Sequence, residues 1–277
     1  MAAESVDVDG AVLASRAGMD ISVAAGHLRL PHRWTIEHVG QTGSTNADLA
    51  SAPDLPHGRV LVTEEQVAGR GRSGRDWFCP PGAGLMFSVL LRLPQIPADR
   101  RGWTGALLGL AIVRALGDLG VDARLKWPND VLINGRKCAG ILGEVAGSAM
   151  VIGTGLNVSL VHTELPRVDA TSLWLSGATG PALDRNALLA AILDSFGDLL
   201  DRWVAAAGDV DASGLRSAYR EACSTLGSRV RLQLPGGFEL VAEAVDVAAD
   251  GSLVVADGAG RQTGYSAADV VHLLPGS

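Results

Sequence analysis

Cysteine is scarce in this chain and placed badly for cross-linking. Cys79, Cys138 and Cys223 are the only three in 277 residues, and no C-x-x-C pair occurs. That excludes a disulfide framework and fits a reduced compartment. The six histidines are scattered, without H-E-x-x-H or any zinc-ligand spacing, which argues against a zinc site. Aromatic residues supply only 4% of the chain, so a hydrophobic content of 47% rests on Ala, Val and Leu, still ample for a large core. A basic excess is missing as well. The net charge of -7 argues against a dedicated nucleic-acid surface. Apolar runs such as residues 105–116 are interrupted and too short to cross a membrane. The first residues have no basic stretch leading into an apolar run, so no secretory signal is read and the expected location is the cytoplasm.

What is present is concentrated in residues 64–78, EEQVAGRGRSGRDWF. Gly69, Gly71 and Gly74 form a G-x-G-x-x-G, the spacing of a dinucleotide loop. That loop must follow a strand and open a helix whose N-terminus receives the pyrophosphate. Residues 59–63 (RVLVT) can be the strand, but Pro80, Pro81 and Gly82 follow too soon for a helix. Arg70 and Arg72 fill the gaps between the glycines, and Arg75 comes next. Guanidiniums spaced by glycine suit a loop that closes on several phosphate or carboxylate oxygens at once. A Walker loop is excluded because no G-K-S/T occurs. The motif occurs once in an acidic chain, unlike repetitive arginine-glycine segments that bind nucleic acid. A plain solvated turn is the remaining bland reading.

The rest of the chain divides into three parts: an N-terminal arm over 1–33, a large domain over 34–224 and a small one over 225–277. The arm is Ala/Gly/Val/Asp-rich and weakly periodic, and is expected to be a flexible, partly ordered segment or a short helix around 6–16. Ser44 or Thr45 caps a helix beginning at Asn46. Residues 85–93 (LMFSVLLRL) read as a buried strand ended by Pro94. Residues 101–119 read as a long apolar helix, with Gly105 and Gly109 allowing close approach to a sheet. Asn134-Gly135, between two short apolar runs, is a hairpin signal. Residues 150–157 (MVIGTGLN) form a strand whose alternating glycines mark close approach by a ligand or backbone. Helices follow over 184–206 and 214–223, and from 227 the period switches to two. Five short strands over 229–274 then make a small barrel.

Four separated motifs carry a resemblance. They are Gly43-Ser44-Thr45-Asn46, Gln66 with residues 69–75 (GRGRSGR), residues 126–130 (KWPND), and residues 136–142 (RKCAGIL). In this order and spacing the chain resembles the biotin protein ligases over roughly residues 34–275. The resemblance implies an α+β fold: a mixed-sheet catalytic domain of the biotin/lipoate ligase type, followed by an SH3-like β-barrel. It implies ATP-dependent formation of biotinyl-5'-adenylate, then transfer of biotin to a lysine of a biotin carboxyl carrier domain of acyl-CoA or pyruvate carboxylases. ATP and Mg2+ are the expected cofactors, with biotin as substrate. No nucleic-acid or membrane partner is expected, and the chain does not read as carrying the winged helix-turn-helix of ligases that also repress transcription. A lipoate or octanoate transferase of the same fold is the alternative.

The resemblance also assigns residues. Lys137, Arg70 and Asp130 are the expected catalytic group, with Lys137 bridging carboxylate and phosphate oxygens. Ser44, Thr45, Asn46, Gln66, Gly69, Arg70, Gly71, Arg72, Lys137, Gly140 and Gly153 are expected to bind biotin. Neutral donors and acceptors suit a ureido ring, because a buried polar group left unpaired costs about 1–3 kcal/mol. Arg72, Trp77, Asn129, Lys137 and Asn157 are expected on the nucleotide side. No protein metal site is expected; Mg2+ would come with the ATP phosphates, with Asp130 beside it. Lys126 and Trp127 are read as equally compatible with a structural role. Cys138 reads as a buried small hydrophobe, open to modification only if exposed.

Overall fold

The computed structural model describes residues 8–14, 16–52, 54–234, 237–266 and 268–273. Its larger part is a seven-stranded mixed sheet. The strands are β1 (Thr35–Thr42), β2 (Arg59–Gln66), β3 (Gly84–Arg92), β4 (Ala123–Lys126), β5 (Asp130–Ile133), β6 (Arg136–Ala146) and β7 (Ala149–Asn157). They lie in the order β1-β2-β3-β7-β6-β5-β4, parallel between β1 and β2 and antiparallel elsewhere. β3 and β7 are central and buried nearly throughout, which explains their continuous apolar sequences. The edge strand β1 is different. Its sequence TIEHVGQT is mostly polar and pairs on one side only, so no periodic signal announces it.

Alternation along β3 separates the two faces. Leu85, Phe87, Val89 and Leu91 join the main core with α4 (Trp103–Asp118) and α5 (Arg185–Ala205). Leu90 instead packs with Leu49 of α3 (Thr45–Ser51) in a second cluster, and Ser88 lies on that same side. Gly109 of α4 sits where a Cβ would press on Leu125 Cδ2 at 2.9 Å and Ile141 Cδ1 at 3.2 Å, so its absent side chain lets helix and sheet approach. Asp184 caps α5 by accepting from the Asn186 and Ala187 amides. Leu188, Leu189, Ile192, Leu193, Phe196 and Leu200 of that helix are all buried, each stabilising the fold by about 1.5–3 kcal/mol. Asn134 (φ 50°) and Gly135 (φ 74°) make the two-residue turn between β5 and β6.

Before β1 come α1 (Val8–Ala14) and α2 (Ile21–His27). Met19, Ala24 and Leu28 are buried in the main core. Arg16 pairs with Glu164 at 2.6 Å and donates to the Ser159 carbonyl at 2.7 Å. Glu64 on β2 accepts from the Met19 amide and from Arg185 Nη1, both at 2.6 Å. The Glu64 bonds fasten Met19 and α5 to the strand that leads into the arginine-glycine loop, and the Arg16 bonds fasten the same N-terminal segment to residues 159–164.

After α6 (Leu215–Ala222), the strands β8 (Arg229–Gln233), β9 (Glu239–Val247), β10 (Leu253–Ala256), β11 (Gln262–Tyr265) and β12 (Asp269–His272) form an antiparallel sheet ordered β11-β10-β9-β8-β12. Two tryptophans, one on α4 and one just after β4, bind it to the larger part. Trp103 Nε1 donates to the Ala249 carbonyl at 2.8 Å and Trp127 Nε1 to Gly251 at 3.0 Å. Trp103 also meets Tyr219 edge-on, with centroids 5.8 Å apart. The second sheet is thereby held against the end of the first where β4 and β5 meet, and β12 faces the cavity there.

Candidate active site

A cavity of about 600 Å³ opens on the α3 side of the large sheet. Its floor is neutral and polar. Ser44 caps α3 through the Ala47 amide, which turns Thr45 and Asn46 inward. Gln66 Oε1 accepts from the Thr45 amide (2.9 Å) and hydroxyl (3.2 Å). The Thr45 hydroxyl lies 2.7 Å from that of Ser88, which donates to Asn46 Oδ1 at 2.6 Å. Asn46 Nδ2 donates to Glu144 at 2.8 Å and to the Leu142 carbonyl at 3.2 Å. A Cβ on Gly153 would overlap Asn46 Oδ1 and crowd Ser88 Oγ. The glycine there makes room for this network.

The opposite wall is charged. Lys137 Nζ and Asp130 Oδ1 form an ion pair at 2.6 Å between adjacent strands. Asn129 Nδ2 donates to the Ile141 carbonyl at 2.8 Å, and the Ile141 amide donates back to the Asn129 carbonyl, fixing the turn before Asp130. The segment after β7 stitches itself to Lys137, whose amide donates to Asp169 O while Thr171 donates to Lys137 O, both at 2.8 Å. Arg167 and Asp169 pair bidentately at 2.7 Å on this segment. The Arg167 hydrogen bond, against a smaller effect of burial, holds the Asp169 carboxyl below its ordinary value. Asn157 lines the cavity while its carboxamide donates to Thr171 O at 2.9 Å. Cys138 is fully buried, and burial pushes its thiol up, so it packs as a small apolar residue.

Residues 69–77 cover the mouth as a closed loop. Trp77 N–H donates to the Gly69 carbonyl at 2.9 Å and Gly71 N–H to Arg75 at 2.6 Å. Ser73 (φ 57°) and Gly74 (φ 71°) turn it in the left-handed region. Arg75 pairs with Asp269 of β12. Arg70 is exposed at the rim, whereas Arg72 is half-buried with its Nη1 out of contact with water and without a hydrogen-bond partner. Burial pulls its guanidinium below the ordinary value against the pull of Asp269, with Arg75 adding to the fall. A buried guanidinium nitrogen with no acceptor is a place prepared for an anion. The Trp77 ring lies over the paired glycines Gly140 and Gly155, where a Cβ on Gly155 would overlap the indole. Lys137 Nζ stands 5.8 Å from its centroid, and the indole N–H is buried without a partner.

The cavity thus gathers Ser44, Thr45, Asn46, Gln66, Arg70, Gly71, Arg72, Trp77, Asn129, Asp130, Lys137, Gly140, Gly153 and Asn157. Gly69 is the one expected residue outside the lining; it is buried behind the loop, where a Cβ would strike the Trp77 carbonyl. Sequence reasoning passed over Ser88, Gly155, Arg167, Asp169 and Asp269. Gly155 had a signal in the alternating glycines of β7. Ser88 is the one polar residue in the interior of an apolar strand, which is itself a sign of a polar site on that face. Among the described residues no three His, Cys, Asp or Glu side chains gather to hold a metal ion, and no helix is long and apolar enough to cross a membrane.

Residues 37–159 match the Biotin/lipoate A/B protein ligase family and residues 225–273 the Biotin protein ligase C terminal domain. The biotin–[acetyl-CoA-carboxylase] ligase of Mycobacterium tuberculosis is 42% identical over 246 residues, 86% of this chain and 89% of that protein. The ligase of the same name from Paracoccus denitrificans is 35% identical over 237 residues, 81% of this chain and 95% of its own. In fold, the chain is similar to the biotin protein ligase of Aquifex aeolicus solved with biotin and ATP. That likeness has a TM-score of 0.71 at 24% identity and covers 86% of this chain and 98% of the other.

Proposed function

The chain belongs to the biotin protein ligase family, and on that premise we propose how its cavity performs an ATP-dependent biotin–[acetyl-CoA-carboxylase] ligation. In the first half-reaction a carboxylate oxygen of biotin attacks the α-phosphorus of ATP, and the bond to the β-phosphate breaks, giving biotinyl-5'-adenylate and pyrophosphate. In the second, a lysine amine of a biotin carboxyl carrier domain attacks the acyl carbon, forming an amide and releasing AMP.

One observation carries the assignment: a neutral hydrogen-bonding floor and a cationic wall face each other in one cavity, with the Lys137–Asp130 pair on that wall. The floor of Ser44, Thr45, Asn46 and Gln66 suits the ureido ring, which needs donors and acceptors and carries no charge. Lys137 suits the place where carboxylate and α-phosphate meet, since a positive charge fixed there lowers the energy of the crowded anionic transition state. Asp130 holds that ammonium in place. Arg72 supplies the buried guanidinium donor for the phosphate or mixed anhydride. Arg70, at the rim of this closed loop, helps to keep water from the anhydride. Trp77, Asn129 and Asn157 form the nucleotide side, with the indole presenting a face to adenine. Gly71 and Gly140 keep the backbone close to the ligand, and Gly69 and Gly153 do so at one remove. Mg2+ fits this site as a companion of the ATP phosphates, where it neutralises phosphate charge, because Asp130 is held by Lys137 and the described residues offer no three-ligand cluster.

The acceptors are the carrier domains of acyl-CoA and pyruvate carboxylases, met in the cytoplasm without nucleic acid or membrane. The test offers the protein ATP, Mg2+, a carrier domain and either labelled biotin or labelled lipoate. Carrier labelling by biotin that requires ATP is expected. Labelling by lipoate alone would instead select the acyl transferase of the same fold.

A further inference from the structure

Residues 1–28 contain one arginine and no lysine, and the side chain of that arginine, Arg16, is only 12% exposed. Its guanidinium uses all three nitrogens. Nη1 and Nη2 donate to the two carboxylate oxygens of Glu164 at 2.9 and 2.6 Å, Nη2 also to the Ser159 carbonyl at 2.7 Å, and Nε to the Ser159 hydroxyl at 3.2 Å. Glu164 accepts from the Val161 amide as well, at 3.0 Å. The Arg16 fork, against a smaller effect of burial, holds the Glu164 carboxyl below its ordinary value. The stem of Arg16 lies on the turn at Gly82 (φ 73°), where an added Cβ would meet Arg16 Cβ at 3.2 Å. The backbone that follows is fixed independently of this side chain. The Ala17 carbonyl accepts from Arg185 Nη2 at 2.5 Å, and the Met19 amide donates to Glu64 at 2.6 Å.

Arg16 does not line the cavity, but the two runs of chain that it bridges do. The turn at Gly82 ends the run that carries Trp77. Residues 159–164 begin the run that carries Pro166, Asp169 and Ala170 into the cavity wall. Backbone joins the two runs, the Ala83 carbonyl accepting from the Val158 and Ser159 amides at 3.1 and 2.8 Å. Cys79, Ala83, Met86 and Leu160 from the same stretches form a small buried cluster, and Trp77 and Leu165 pack against it. The neutral floor stands apart from this arrangement, because Ser44, Thr45, Asn46 and Gln66 belong to α3 and β2. We propose that Arg16 is a positioning residue for one side of the active site. Its stem and fork lock the Gly82 turn to residues 159–164, and so fix the spacing between the Trp77 indole and the wall at 166–170. This rests on the adenylation reading given above, in which Trp77 belongs to the nucleotide side. Loss of the fork should then disturb ATP and leave biotin alone.

The test uses the full chain with Arg16→Met, which keeps a stem over Gly82 and removes the fork, and with Arg16→Lys and Glu164→Gln. Thermal denaturation fixes a working temperature at which each variant is folded. In biotin-dependent pyrophosphate release, KM for ATP should rise about tenfold in Arg16→Met, because small displacements of the groups around a reacting centre cost that much or more. Arg16→Lys keeps the charge without the fork and should fall between Arg16→Met and wild type. Arg16→Met combined with Glu164→Gln should lose no more than Arg16→Met alone, since both remove one interaction. Biotin affinity, titrated without ATP, should stay unchanged, which a general loosening of the fold would not allow. An unaltered KM for ATP, or an equal loss of biotin affinity, would overturn the proposal. If the wild-type protein releases no pyrophosphate with biotin and ATP, the adenylation reading fails separately. Hydrogen exchange read by mass spectrometry still decides the positioning in that case. Amides in 77–83 and 161–171 should exchange several-fold faster in Arg16→Met while those of α4 hold their rates, and unaltered exchange in both segments counts against Arg16. Should Arg16→Met not fold, Arg16→Lys carries both measurements.

Discussion

Gly153 is defined by what stands over it. Asn46 and Ser88 occupy the volume a methyl group would need, so Gly153→Ala should displace the polar floor and cost about 1–3 kcal/mol by overpacking. A lower thermal midpoint together with weaker biotin binding in a titration is the expected outcome. Lys137→Ala acts on the opposite wall. It should leave biotin affinity within a few-fold of wild type while pyrophosphate release falls about a hundredfold or more. Unaltered turnover would remove Lys137 from its role. The motifs made most of these residues legible, because R-K-C-A-G-I-L and G-S-T-N are local patterns. Ser88 was not legible as a partner of Asn46, since their contact joins a helix to a strand 42 positions away. Nor was the burial of Arg72 as against the exposure of Arg70, which depends on how the loop folds.

At the scale of elements, the loop over 69–77 is tied to a strand almost two hundred residues later through Arg75 and Asp269. Asp269→Asn should release that tie. Trypsin should then cut at the loop arginines several-fold faster than in wild type, as read by mass spectrometry of the fragments; equal rates would mean the ion pair does not hold the loop. Most elements follow from sequence periodicity. β3, β7, α4 and α5 stand within a residue or two of their expected bounds, because a buried strand and a one-faced helix leave plain patterns. β1 and α2 do not. An edge strand paired on one side keeps polar residues, and a seven-residue helix spans too few turns to display a period.

At the scale of the whole molecule, long-range polar contacts from the N-terminal segment, β1 and α5 converge on Glu64. Burial raises its carboxyl, but Arg185, the Met19 amide and His38 together outweigh that and leave it below its ordinary 4.5. A carboxylate with a depressed pKa stabilises the fold above the unfolded value, and the benefit is lost as pH falls through the folded one. Wild-type stability should therefore decline below about pH 4.5. Glu64→Gln should be less stable near neutrality and show a flatter acid limb in denaturant melts, and parallel curves would contradict the assignment. The chain's only lysines, Lys126 and Lys137, have a consequence at this same scale. An acyl-adenylate that escapes will acylate any free lysine amine it meets, whereas guanidiniums stay protonated and unreactive. With both lysines enclosed in the cavity lining, the outer surface offers a stray intermediate no lysine to modify. Lysine labelling that follows a leak therefore falls on other proteins.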